Sequence, residues 1–293
     1  MQSLILILKG VVVGIANVIP GVSGGTLAVI LGIYERLTEA IGNFVQDKAN
    51  RRRHMAFLLL IALGAGIGVI LFAKLFVFLL TSPVLKQNTY FFFTGLILGS
   101  IPLIMNMHSD MKASPGRIIS LVIAAAMVIT VSIAGGASGE AAQKITPTGE
   151  IFGIFKVAEI SFSYGLWLIA CGFLAAGAMV MPGFSGSALL ISLGEYNQIL
   201  YFVDERIIIP VALIALGAVP GVIMFAKVIS VALKRSPSVT YYFILGLIIA
   251  SLFQIVLEMA LEFQTDAVVI LSNLIIFGAG FIISYWMGRM NKE

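Results

Sequence analysis

The sequence predicts an all-α polytopic membrane protein made of two inverted-topology repeats, on three observations. First, 60% of its 293 residues are hydrophobic and 11% are charged, where a soluble domain carries about 25% charged residues. Such a chain cannot cover itself with polar surface, which excludes a soluble enzyme. Second, its apolar residues fall in runs such as 55–81 and 266–287, at or above the ~20 residues that a bilayer-crossing helix needs. A β-barrel would alternate with a period of two instead. Third, the chain repeats itself. Residues 14–35, GIANVIPGVSGGTLAVILGIYE, align without gaps on 176–197, AGAMVMPGFSGSALLISLGEYN, with ten of 22 positions identical. Shared apolar composition would supply about two or three. The likeness continues where IALGAGIGVILFAK at 61–74 meets IALGAVPGVIMFAK at 214–227, with 11 of 14 identical, and where 89–100 meets 240–251, with seven of 12.

The repeats are 1–135 and 164–293, joined by a polar linker at 136–163. Each opens with a hairpin, at 4–39 and 164–203. The hairpins precede apolar runs at 55–81, 89–107 and 117–133, and at 207–233, 239–257 and 267–287. A helix over 4–19 reaches about 24 Å, short of a hydrocarbon core of about 30 Å. Pro-Gly with a serine three residues after the proline, at Pro20–Ser23 and Pro182–Ser185, makes a sharp turn followed by a helix N-cap. Each hairpin is therefore expected to be re-entrant, with exit helices over 23–39 and 185–203. Two kinked transmembrane helices are the alternative. Three crossings per half is an odd number, which inverts the second half relative to the first.

The basic residues orient this arrangement. A cytoplasmic start puts Lys48, Arg51, Arg52, Arg53, Lys112, Arg117, Lys234, Arg235, Arg289 and Lys292 inside, against Lys86, Lys144, Lys156 and Arg206 outside. That satisfies the positive-inside rule, with both termini cytoplasmic and the linker on the outer face. The net charge of +4 is spread through loops and forms no nucleic-acid patch. Lys9 interrupts the first apolar run and no small-x-small site follows, so the segment is not read as a cleaved signal. The lone Cys171 leaves no internal disulfide. His54 and His108 lack metal-ligand spacing, and no metal or other cofactor is expected.

Bare N–H and C=O groups in lipid cost several kcal/mol each, so turns at membrane depth must be buried in protein or line a cavity. The two turns are expected to face each other near the midplane. In the first, Gly21, Gly24 and Gly25 let a ligand approach the backbone, while Ser23 and Thr26 offer hydroxyls and the next helix offers free N–H groups. Gly183, Ser185, Gly186 and Ser187 repeat the pattern. This is the composition of an anion or phosphate site, although glycine and serine also serve close helix packing. Asn17 precedes the first turn closely enough to join it. Lys74 and Lys227, at equivalent repeat positions, together with Arg36 are candidates to guide an anionic headgroup, with snorkelling to the interface as the alternative for the lysines. Glu35 and Glu195 are candidate proton carriers, and Glu39 is read as an interfacial group.

The run ANVIPGVSGGTLAVILGIYE, its partner MPGFSGSALLISLGEYN and the chain length resemble the polyprenyl-phosphate transporter family, PopT, formerly a bacterial domain of unknown function. The resemblance covers nearly the whole chain. It implies a flippase in the bacterial cytoplasmic (inner) membrane. Its substrate and partner would be undecaprenyl phosphate, the C55 carrier, returned to the cytoplasmic leaflet for cell-wall and surface-polymer synthesis. A homo-oligomer is left open. A second resemblance, to undecaprenyl-diphosphate phosphatases, rests on Pro-Gly-x-Ser. Those enzymes continue Arg-Ser and carry a Glu-x-x-x-Glu motif, whereas here the arginine position is Gly24 and Gly186, and Glu35 and Glu39 follow the turn. Without an arginine against the phosphoryl oxygens the turns are suited to hold phosphate rather than cleave it. The chain is expected not to be an enzyme; a phosphatase or a small-anion carrier is the alternative.

Overall fold

The computed structural model describes residues 2–18, 22–137, 148–151, 154–260 and 263–290. In the first half α1 (Gln2–Val18) leads to two short helices, α2 (Gly24–Ile30) and α3 (Tyr34–Gly42). Three long ones follow: α4 (Arg51–Leu80), α5 (Pro83–Met105) and α6 (Pro115–Ala137). The same order recurs in α7 (Phe162–Val180), α8 (Gly186–Ser192), α9 (Tyr196–Asp204), α10 (Ile208–Arg235), α11 (Pro237–Ala260) and α12 (Ala267–Met290). Among the described residues seven helices, α4 to α7 and α10 to α12, are long and apolar enough to cross a membrane, while α1 is shorter. The chain is thus a multi-pass helical membrane protein.

The sequence sets the helix ends. Proline opens α5, α6 and α11, where its missing N–H costs nothing and its φ is already helical. Ser23 caps α2 by accepting from the Gly25 amide, and Ser185 caps α8 by accepting from the Ala188 amide. The exit helices expected to run unbroken over 23–39 and 185–203 are each split in two. Gly32 (φ 66°) and Gly194 (φ 76°) adopt left-handed backbone. At both sites two amides turn back onto the ending helix: Gly32 N to Val29 O and Ile33 N to Ala28 O, Gly194 N to Ile191 O and Glu195 N to Leu190 O. That is a Schellman stop, and both glycines were among the repeat identities.

Packing follows small residues. Helix α1 lies along α4 and α7 along α10, while α5 lies along α12 and α6 along α11. A Cβ on Gly10 would stand 3.1 Å from the Gly64 Cα, and one on Gly221 2.9 Å from the Phe173 Cα. Backbones approach this closely because lipid offers helices no hydrophobic drive to associate, so contact area must come from van der Waals fit. The 11-of-14 identity between 61–74 and 214–227 is therefore largely a packing signature. The main core joins α1, α2 and α3 to α5 and α11 through Ala16, Val29, Ile30, Tyr34, Ile97, Ile104 and Ile248, all at most 4% exposed.

The linker, expected to be merely polar, carries an antiparallel pair, β1 (Gly149–Ile151) with β2 (Phe155–Val157). Its anchor is Lys156, whose amide donates to Arg206 O at 3.0 Å and whose ammonium pairs with Glu205. Strand pairing satisfies backbone groups that the polar composition alone does not reveal.

Candidate functional site

Both turns meet at the centre of the fold. The Gly183 amide donates to Thr26 Oγ1 at 2.9 Å, and Tyr34 Oη donates to Val180 O at 3.1 Å. Ser23 Oγ lies 3.5 Å from Met181 O. A Cβ on Gly25 would stand 3.2 Å from Pro182, so a larger residue there would press the turns apart by a few tenths of an ångström. Gly183 (φ 73°) has a second constraint, since a Cβ there would lie 2.6 Å from the Leu247 carbonyl carbon. Gly21 and Pro20 lie outside the described residues.

The first turn spends its donors internally. Asn17 Oδ1 accepts from the Gly24 amide at 3.1 Å, Ser23 Oγ from the Gly25 amide at 3.2 Å, and Ser23 O from the Thr26 amide at 2.9 Å. Ser23 and Thr26 are buried. These groups bind one hairpin to the other. Among the described residues, Nδ2 of Asn17, an exposed residue, is available to a ligand on this side.

The second turn is the more available. Ser185 and Ser187 share a hydroxyl–hydroxyl bond of 2.8 Å, and Ser187 is exposed. Ser185 Oγ also accepts from the Ala188 amide at 3.3 Å. The amides of Gly186 and Ser187, at the head of α8, have no protein acceptor among the described residues. Two hydroxyls and two amides thus converge where the repeat places glycine and serine.

The charged candidates lie on the neighbouring helices and do not form one cluster. Glu35 accepts from the Tyr241 hydroxyl of α11, Glu39 pairs with Lys234, and Asn43 accepts from Lys227, both lysines being on α10. Arg36 stacks over the Phe57 ring, 4.2 Å from its centroid. Glu195 takes two neutral donors from α7, Tyr164 Oη at 2.8 Å and Trp167 Nε1 at 2.9 Å. Lys74 sits on α4, but its side chain lies outside the described residues. Away from the spans, hydrogen bonds from Lys156 and Arg117 hold the carboxyls of Glu205 and Asp110 below the usual carboxylate range.

Sequence reasoning missed the tyrosines. Tyr34 was visible as a repeat identity with Tyr196, yet its bond to Val180 needs a contact across 146 residues. It also left Lys9 unused, whose ammonium donates to Leu31 O at 2.6 Å at the C-terminus of α2, where a cation stabilises the helix dipole. Helix α3 packs along α10, but its repeat counterpart α9 does not pack along α4. Among the described residues no cluster of His, Cys, Asp or Glu has the makeup of a metal site.

The fold and site define a polytopic helical membrane protein in which two serine-glycine turns face each other. The undecaprenyl phosphate translocase-like family model matches residues 13–272, and the chain belongs to that family. It is 32% identical to the polyprenyl-phosphate transporter of Vibrio cholerae over 84% of this chain and 75% of that one. It is 28% identical to the polyprenyl-phosphate transporter of Staphylococcus aureus over 98% of this chain and 96% of that one. No solved structure gives a significant match.

Proposed function

We propose that the protein carries undecaprenyl phosphate from the outer to the cytoplasmic leaflet of the bacterial inner membrane by alternating access, recycling the lipid for cell-envelope synthesis. The carrying observation is the pair of turns, closed on each other through Thr26 and Gly183, with the Ser185 and Ser187 hydroxyls bonded to each other so that one of their two protons remains for a ligand. The family and the relatives' names supply the substrate class. In this reading 1–135 and 164–293 are inverted repeats, α1–α3 and α7–α9 are re-entrant hairpins, 136–163 is external and both termini are cytoplasmic. The matched turns, caps and Schellman stops in one element order support it.

The asymmetry between the halves supports an outward-facing reading. With the termini inside, α3 closes the cytoplasmic side against α10 through Glu39–Lys234 and Asn43–Lys227 and against α11 through Glu35–Tyr241. The equivalent α9–α4 packing is lacking among the described residues, as expected of an outward-facing carrier. The phosphate is held by Ser185, Gly186, Ser187, Asn17 and the edge of Gly24, while Ser23, Gly25, Thr26 and Gly183 shape the turns that cradle it. Lys74, Lys227 and Arg36 guide the headgroup. Inward movement of an anion opposes an inside-negative potential by about 2.3 kcal/mol per charge per 100 mV. Co-transport of a proton offsets it, with Glu35 and Glu195 as carriers.

Cleavage of a diphosphate is disfavoured because Gly24 and Gly186 stand where an arginine would stabilise the phosphoryl oxygens. The test is leaflet exchange and phosphate release measured together in proteoliposomes. Undecaprenyl phosphate should exchange, and undecaprenyl diphosphate should release no phosphate. Glu35→Gln or Glu195→Gln should flatten the pH dependence of exchange. Enzyme-like phosphate release by the pure protein sinks the reading.

A further inference from the structure

We infer that an apolar cleft beside the first hairpin seats the isoprenoid chain of the substrate, a conclusion that rests on the phosphate reading above. The cleft has a volume of about 580 Å³ and lies between α1, α2, α4, α5 and α12. Ile15, Leu27 and Ile30 form one wall, with Phe92, Leu96 and Ile283 across from them. Its lining reaches the helices that flank the first turn, with Ile15 two residues before Asn17 and Leu27 one residue after Thr26. A headgroup at the turns and a tail in the cleft would thus lie along the same two helices.

A second observation separates this cleft from an ordinary lipid-facing groove. The repeat counterpart of Leu27 is Leu189, on α8. There the equivalent space is filled, because Ala124 and Val128 of α6 pack with Phe184 and Leu189. Helix α6 lies along α8, whereas α12, in the corresponding place, barely touches α2. The open cleft thus belongs to the half whose helix pair has separated.

A volume in the range of ordinary ligand sites holds the first few isoprene units and leaves the rest of a C55 chain in the bilayer. Lipid tails are as apolar as leucine, so entering the cleft brings no hydrophobic gain. Discrimination must come from fit, in which a methyl-branched chain meets Phe72, Phe92 and Phe93.

Full-length protein in nanodiscs tests the assignment with two ligands, undecaprenyl phosphate and dimethylallyl phosphate, which keeps the headgroup but has one isoprene unit. Thr89→Trp and Ile276→Trp, both within the cleft, should weaken the long ligand tenfold or more and the short one less than twofold. Equal loss for both ligands, or for neither, overturns the tail site. Because either variant can misfold, wild-type protein supplies an independent measurement. A polyprenyl phosphate with a diazirine in its first isoprene units should label the lining helices α1, α2, α4, α5 or α12, and labelling confined to α3 and α6–α11 overturns the proposal. Dioleoyl phosphatidic acid should displace that probe at least tenfold more weakly than undecaprenyl phosphate, and equal displacement assigns the cleft to membrane lipid. If wild type binds neither phosphate ligand, the functional reading falls and takes the tail site with it; if only the short ligand's affinity matches the long one's, the tail site alone falls.

Discussion

Thr26 and Gly183, 157 residues apart, are joined by a hydrogen bond from the Gly183 amide to Thr26 Oγ1 at 2.9 Å. Both residues are buried. Thr26→Val keeps the shape but removes the acceptor, leaving a buried N–H unmatched at a cost of about 1–3 kcal/mol. Thr26→Ser should stay near wild type. Thermal unfolding in detergent separates the two, and equal loss in both variants would mean that the methyl group, rather than the hydroxyl, matters.

The serines of the two turns should respond differently. Ser23 is buried and bonds within the hairpin pair, so Ser23→Ala should lower stability and affect binding only as a consequence. Ser185→Ala and Ser187→Ala should each weaken undecaprenyl phosphate binding by about 1–3 kcal/mol if the hydroxyl meets a phosphate oxygen. Calorimetric stability and binding measured on the same preparations check the split. Unchanged affinity in both second-turn variants would remove that turn from the ligand site.

Closure by α3 on α10 can be locked. Lys227 and Asn43 are hydrogen-bonded across 184 residues, so cysteines at both positions should cross-link on oxidation. Leaflet exchange should stop and return with reductant. Exchange that continues at the wild-type rate in fully cross-linked protein is incompatible with alternating access through this seam.

Gly194 and Gly183 share left-handed backbone but differ in surroundings. A Cβ on Gly194 meets nothing within 4 Å, while one on Gly183 runs into the backbone at Leu247. Gly194→Ala should cost only the conformational strain, roughly 1–2 kcal/mol. Gly183→Ala should cost clearly more, and melting temperatures should rank them in that order.

The Lys156–Glu205 pair predicts a pH response in the linker. The Lys156 hydrogen bond holds the Glu205 carboxyl below its ordinary range. The stabilisation it brings is complete above the unfolded value of about 4.3 and is lost as pH falls through the lower folded value. Amide exchange at 155–157 should accelerate in acid in the wild type. In Glu205→Gln the same acceleration should be absent, with faster exchange already at neutral pH.

Much of the fold was legible because the membrane makes strict demands. Spanning helices must be long and apolar, so α4 to α6 and α10 to α12 could be read from hydropathy runs to within a few residues. Turns in lipid must be capped and tightly bent, so Pro-Gly-x-Ser placed both N-caps at Ser23 and Ser185. The breaks at Gly32 and Gly194 were present as repeat identities but were overlooked. Glycine inside an apolar run has several uses, and only its positive φ identifies a stop.

The sequence by itself determined the membrane class, the helix order and the kinship of the two turns, because periodicity, length and capping are local properties of the chain. The tertiary structure decided what each copy of the motif does. In the first turn the Ser23 and Thr26 side chains are committed to the protein, while in the second Ser187 is exposed and the Gly186 and Ser187 amides have no acceptor among the described residues. Nearly identical motifs cannot announce this difference. It arises from α3 packing on α10 and α6 on α8 without equal packing of their counterparts, and such asymmetry exists only once helices about fifty or more residues apart are in contact.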